Sequence, residues 1–107
     1  FRVFYAAGET YPCWWHPLTH VYTIITPQDE NKYELDKLRD ITRHIASICK
    51  LDWFSTEIAL TLDEFITVDY VNDQIDTRVQ SKAVDGVPDE VMKGVAERLV
   101  ELVKENQ

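Results

Sequence analysis

Hydrophobic and polar positions follow two different periods along this chain, and the changes between them divide it into elements. Arg2–Ala7 (RVFYAA) is β-prone, Gly8-Glu9 supplies a turn, and Thr10–His16 (TYPCWWH) is a second β-prone run. Together they read as a hairpin, with Pro12 pushing the second strand towards an edge or a bulge because it cannot donate to a ladder. His20–Ile25 (HVYTII) is a third strand candidate, and Thr26–Lys32 (TPQDENK) reads as a polar connector. From Tyr33 to Lys50 the period lengthens. Leu35, Leu38, Ile41, Ile45 and Ile48 recur at steps of three and four with charged residues between them, which predicts an amphipathic helix with one buried stripe.

Two more strands follow, Phe54–Leu62 and Phe65–Val71, joined at Asp63-Glu64, and then an irregular polar stretch from Asn72 to Gly86. Pro88, Asp89 and Glu90 suit the first turn of a final helix, where the missing N–H costs nothing and acids meet the positive end of the dipole. Val91, Val95, Leu99, Leu102 and Val103 give that helix its buried stripe. The order β-β-β-α-β-β-α predicts one α+β domain over residues 1–107, a largely antiparallel sheet with the two main helices packed on one face. The chain opens on Phe1 with a strand already under way, so the expectation is a piece of a longer polypeptide.

Alternation within the second hairpin sets its register. Thr56, Ile58, Leu60 and Leu62 share one face of the first strand, and Glu57, Ala59 and Thr61 the other; in the second strand Ile66 and Val68 oppose Thr67 and Asp69. A two-residue turn would pair polar with apolar positions. A three-residue loop, Leu62–Glu64, pairs Leu60 with Ile66 and Ile58 with Val68, apolar on apolar, and register follows the hydrophobic pattern. The same loop sets Glu57 directly opposite Asp69, a destabilising pair unless something compensates. A solvated face, a protonated acid or a bridging cation would each answer that repulsion, and hard oxygen ligands of this kind suit Mg²⁺ with substrate phosphates.

Charge sharpens this picture. The 107 residues carry 11 Lys+Arg and 19 Asp+Glu, a formal charge of −8. Residues 1–56 are close to balance, whereas residues 51–77 hold Asp52, Glu57, Asp63, Glu64, Asp69, Asp73 and Asp76 without a single Lys or Arg. A sequence-independent grip on nucleic acid is thereby disfavoured, because neutralising phosphates needs a basic footprint. The apolar runs are too short to span a membrane as a helix. Two cysteines, Cys13 and Cys49, are too few for a disulfide framework and suggest a reducing, cytoplasmic setting.

The order of a helix, LDWFSTEIAL, a short turn, FITVDYVND and then DGVP before a last helix resembles the C-terminal lobe of the ATP-grasp superfamily. The opening RVFYAAGETYPCWW resembles that superfamily's arginine-bearing strand and following hairpin, so the likeness covers essentially the whole chain through short motifs in a characteristic order. It implies ATP-dependent activation of a small-molecule or peptide carboxylate as an acyl phosphate, followed by attack of an amine or similar nucleophile. It implies that Glu57, Asp69 and Asn72 bind the Mg²⁺ (or Mn²⁺) of ATP, and that Arg2 meets phosphate or the acyl phosphate. It further implies that the missing N-terminal and central lobes belong to the same polypeptide, and that this lobe does not turn over ATP alone. Two departures stand out. The first acid is Glu where Asp is common, and Asp69-Tyr70-Val71-Asn72 is one residue longer than the family's acid-x-Asn. Strict alternation turns Asn72 away, and a bulge near Tyr70 would return it.

Other residues invite chemistry too. Cys13, His16 and His20 have the types and close spacing of zinc ligands but fall short of a closed structural site. Arg78 ends the acid-only stretch and suits either a phosphate or carboxylate contact or charge compensation for Asp73 and Asp76. Trp14, Trp15 and Trp53 read as core or anchor residues, and Glu97, Glu101 and Glu105 as a solvated helix face. The reading that competes with an enzyme lobe is a non-catalytic α+β interaction domain with a solvated acidic face.

Overall fold

The computed structural model describes residues 1–62, 64–72, 75 and 77–105. It contains β1 (Arg2–Ala6), β2 (Glu9–Trp15), β3 (Tyr22–Thr23), α1 (Pro27–Tyr33), α2 (Asp36–Cys49), β4 (Trp53–Leu60), β5 (Phe65–Asn72) and α3 (Asp89–Glu105). The five strands form one sheet in the order β3-β2-β1-β4-β5, with antiparallel neighbours throughout. The class is α+β, as expected.

The turn between β1 and β2 is Ala7-Gly8, one residue earlier than expected. Both residues have positive φ, 46° and 97°, as a two-residue loop matching the strand twist requires. The polar connector proves to be helical. Thr26 caps α1 with its hydroxyl accepting from the Asp29 N–H at 3.2 Å, and Asp29 Oδ2 accepts from the Thr26 N–H at 3.0 Å. That reciprocal box satisfies donors that a helix start otherwise orphans. The chain turns through Glu34 in the left-handed region and continues into α2, where Arg39 ties Asp36 back to Glu30 of α1.

Helix α2 buries Leu38, Thr42, Ile45 and Ala46, with Cys49 packed beside them. Ile48, expected in the stripe, is 70% exposed because the stripe drifts around the helix onto Cys49.

The two main helices lie on opposite faces of the sheet, not on one. Leu35 and Leu38 pack with Val3 and Ile58, and Ile45 and Ala46 with Phe54. Val87, Val91 and Val95 pack with Phe4, Ala6 and Cys13. Successive strand residues point to opposite faces, so Val3 and Phe4, both fully buried, mark a strand covered on both sides. Helix α3 packs on β1 and β2, and on the β4–β5 side of that face Ile66 and Asp69 stay exposed. Val103, expected in the stripe of α3, is exposed as well.

Between β5 and α3 the backbone closes a tight loop. The Val87 N–H donates to the Arg78 carbonyl at 2.7 Å and the Gln80 N–H to the Val87 carbonyl at 2.8 Å. Gly86 permits this approach, since a Cβ there would sit 2.6 Å from the Val79 carbonyl carbon and oxygen.

Candidate functional site

The β4–β5 hairpin differs from its expected register near the tip and agrees with it at the acids. Leu60 pairs with Phe65, Ala59 with Ile66 and Ile58 with Thr67, which leaves four residues in the loop. The pairs Leu60–Ile66 and Ile58–Val68 do not form. The shift lets Phe65 turn onto Phe1 and the core cluster that holds Ile58 and Leu38, and covering an aromatic ring outweighs covering Ile66. At the tip the Thr61 N–H and hydroxyl both donate to the Glu64 carbonyl, at 2.8 and 3.0 Å. Asp63 lies outside the described residues.

Val68 is then an extra residue in β5, and the register beyond it sets Glu57 opposite Asp69. A second irregularity follows. From Glu57 back to Ser55 the strand β4 moves two residues while β5 moves three, from Asp69 to Asn72. The extra residue falls at Tyr70-Val71, the bulge that the long Asp-to-Asn spacing called for. Residues directly opposite share a face, so Ser55, Glu57, Asp69 and Asn72 belong to the same face of the sheet. The Thr56 hydroxyl donates to the Asp69 carbonyl at 2.9 Å and ties down the bulged strand.

Arg2 lies opposite Glu57 on one side and Cys13 on the other. One level of the sheet therefore reads Cys13, Arg2, Glu57, Asp69 across four strands, on the face that carries α3. Arg2 Nη2 stands 3.8 Å from Glu57 Oε1, and the two side chains are 17% and 20% exposed. The guanidinium carbon lies 4.3 Å from the centroid of the Trp15 ring, a cation–π contact. Arg2 Nε and Ser55 Oγ are buried without a hydrogen-bond partner among the described residues.

Arg78 comes to the same neighbourhood from the loop before α3. Its Nη2 pairs with Asp85 Oδ2 at 3.1 Å. Asp73 and Asp76, the acids of the charge-compensation reading, lie outside the described residues. Arg2 and Arg78 line a cavity of 290 Å³ together with Trp15, His20, Tyr22 and Asp85. Trp15, His20, Tyr22 and Asp85 had no place in the site read from sequence. The Trp pair reads as core, and only the pairing of β2 with β1 and β3 brings Trp15 beside Arg2.

Cys13, His16 and His20 are used differently from a zinc site. Cys13 is fully buried, and desolvation pushes its thiol up to about 12, so it resists becoming the thiolate a metal needs. His16 Nδ1 accepts from the Leu18 and Thr19 N–H groups, each at 3.2 Å. The His20 ring stacks on Trp15, 5.3 Å between centroids and 12° between planes. Among the described residues no group of three His, Cys, Asp or Glu could hold a metal.

Glu57, Asp69 and Asn72 are oxygen-bearing side chains that the register brings to one face at this level of the sheet. In donor type they match what Mg²⁺ takes, usually one or two carboxylates with substrate phosphates completing the octahedron. The Arg2 guanidinium, 3.8 Å from Glu57, offsets part of the charge on that acid. No helix among the described residues is long and apolar enough to cross a membrane. No family model, no curated protein and no solved structure matches this chain.

Proposed function

We propose that this chain is the C-terminal lobe of an ATP-grasp-like enzyme that activates a carboxylate with ATP and passes it to an amine or similar nucleophile. The observation that carries the reading is the single row of Arg2, Glu57 and Asp69 across β1, β4 and β5, extended to Asn72 by a bulge at the required place. Glu57, Asp69 and Asn72 would hold Mg²⁺ or Mn²⁺ against the ATP phosphates. The ion, when bound, neutralises charge on the transferring phosphoryl group.

In the first step a carboxylate oxygen bonds to the γ-phosphorus while the bond from that phosphorus to the β,γ-bridging oxygen breaks, releasing ADP. The amine then bonds to the acyl carbon, its proton passes to solvent, and the acyl C–O bond breaks to release inorganic phosphate. Arg2 and Arg78 would stabilise the anionic oxygens in both steps. The cytoplasm is the compartment this reading assigns, supported by the free thiols of Cys13 and Cys49.

The test is Mg²⁺–ATP binding by the polypeptide that carries this chain, followed by isothermal calorimetry. Glu57→Gln and Asp69→Asn should each weaken binding by about tenfold or more, the cost of one charged ligand, while Glu97→Gln changes nothing. A second reading, an interaction domain with a solvated acidic face, draws on the exposure of Asp69. It requires all three variants to behave alike.

A further inference from the structure

The outer strand β5 and the turn that leads into it hold apolar side chains in water. Five of the twelve large apolar residues exposed among the described residues fall within residues 60–70: Leu60, Leu62, Ile66, Val68 and Tyr70. Single exposed apolar residues are ordinary, but a run of them marks an interaction surface. Strand β5 ends the sheet, and no described strand pairs with its outer side. Sheet edges of this kind are usually kept short or guarded by Lys or Pro. The opposite edge, β3, has two residues, whereas β5 has eight and neither Lys nor Pro.

Backbone and charge together say what covers it. The irregularities at Val68 and at Tyr70-Val71 interrupt the ladder, so two copies of β5 cannot join in one flat, continuous pairing. Between the bulges the outer main-chain groups stay open to an extended chain. Residues 51–77 hold seven acids and no Lys or Arg, and Glu64 and Asp69 are exposed along the strip. A second copy has no strand to answer that charge. Arg2 is the only Lys or Arg in the five strands, and β1 is enclosed between β2 and β4. Edge against edge, two copies would set acids beside acids, which is destabilising. At the Leu60–Leu62 end a cavity of 490 Å³ opens, with Ile41 and Phe65 also in its lining and Lys32 and Lys37 on its helical side. That end suits an apolar residue of the partner, and the partner's bases fall further along, towards Asp69.

We propose that β5 is a docking edge for an extended segment of a partner protein, one that carries Lys or Arg together with apolar residues. Its apolar side chains cover Ile66, Val68 and Tyr70, and its bases meet the acids beside them. This surface is separate from the question of whether the chain is a ligase lobe.

The test uses the chain with neither nucleotide nor metal, so its result is independent of Mg²⁺–ATP binding. Three capped peptides, Lys-Val-Lys-Val-Lys-Val, Lys-Gly-Lys-Gly-Lys-Gly and Glu-Val-Glu-Val-Glu-Val, are titrated in turn while backbone amide resonances are followed. The Lys-Val peptide should move the amides of Phe65–Asn72 and leave those of Tyr22, Thr23, Glu97 and Glu101 in place. It should bind about tenfold or more tightly than the Lys-Gly peptide, the difference made by covering two or three apolar side chains, and the Glu-Val peptide should not bind. Val68→Lys and Tyr70→Ser should each weaken the Lys-Val peptide by a similar factor; both positions are exposed, so the fold tolerates either change. The proposal is overturned if the β5 amides stay in place or if the shifts spread equally over the acids of α3. It is equally overturned if the Lys-Gly or Glu-Val peptide binds as tightly as Lys-Val, or if the chain alone dimerises through β5.

Discussion

Glu57 and Asp69 face each other because two departures from simple alternation cancel. The loop is one residue longer than the hydrophobic pattern suggests, which slides β5 one way, and the extra residue at Val68 slides it back. The acid pair was therefore legible in the sequence, though not the route to it: alternation assumes an unbroken pleat, and the pull of Phe65 into the core breaks it. Asn72 was legible as a question, since its spacing demanded a bulge. Trp15 and His20 were not, because what matters there is a cross-strand neighbour and a positive φ, neither of which leaves a local signature. Gly86 offers a test at this scale. Gly86→Ala should destabilise the fold by about 1–3 kcal/mol in urea denaturation, because its Cβ meets backbone rather than a side chain that can swing away. Wild-type stability in that variant would contradict the close approach that holds Arg78 at the cavity.

At the scale of elements, the short helix α1 shows what apolar periodicity misses. TPQDENK has no buried residue, so the hydrophobic pattern is silent, while the polar signal of Thr26 with Asp29 three positions later was present to be read. The cap also joins the helix to the sheet, since Trp14 Nε1 donates to Asp29 Oδ2 at 3.0 Å. That bond first, and the Thr26 N–H after it, hold the Asp29 carboxyl below its ordinary 3.8. A carboxyl whose folded value is depressed stabilises the fold in full above its unfolded value and loses that contribution as pH falls through the folded value. Asp29→Asn should therefore flatten the loss of stability below about pH 4, seen by comparing urea midpoints of both chains at neutral and acid pH. Parallel curves would show that the cap carries no charge-dependent stability.

For the whole molecule, the sequence predicted the α+β class and nearly every strand, but not the placement of the helices. An apolar stripe says that a helix is covered on one side; it does not say which face of the sheet does the covering. The clue lay in β1, where adjacent Val3 and Phe4 are both apolar and both buried, as in a strand covered on both faces. With α3 on the side of Arg2 and α2 behind, the molecule presents one half-open face where the acids, the arginines and the aromatic cavity adjoin. That face is the proposed metal–nucleotide surface. The most direct measurement is paramagnetic broadening by Mn²⁺ in the presence of ATP, read residue by residue in the polypeptide that carries this chain. Resonances of Glu57, Asp69 and Asn72 should broaden first and Arg2 next, and Asp69→Asn should abolish the effect. Broadening spread evenly over the acidic residues of α3, or none at any of these positions, would contradict a metal–nucleotide role for this face.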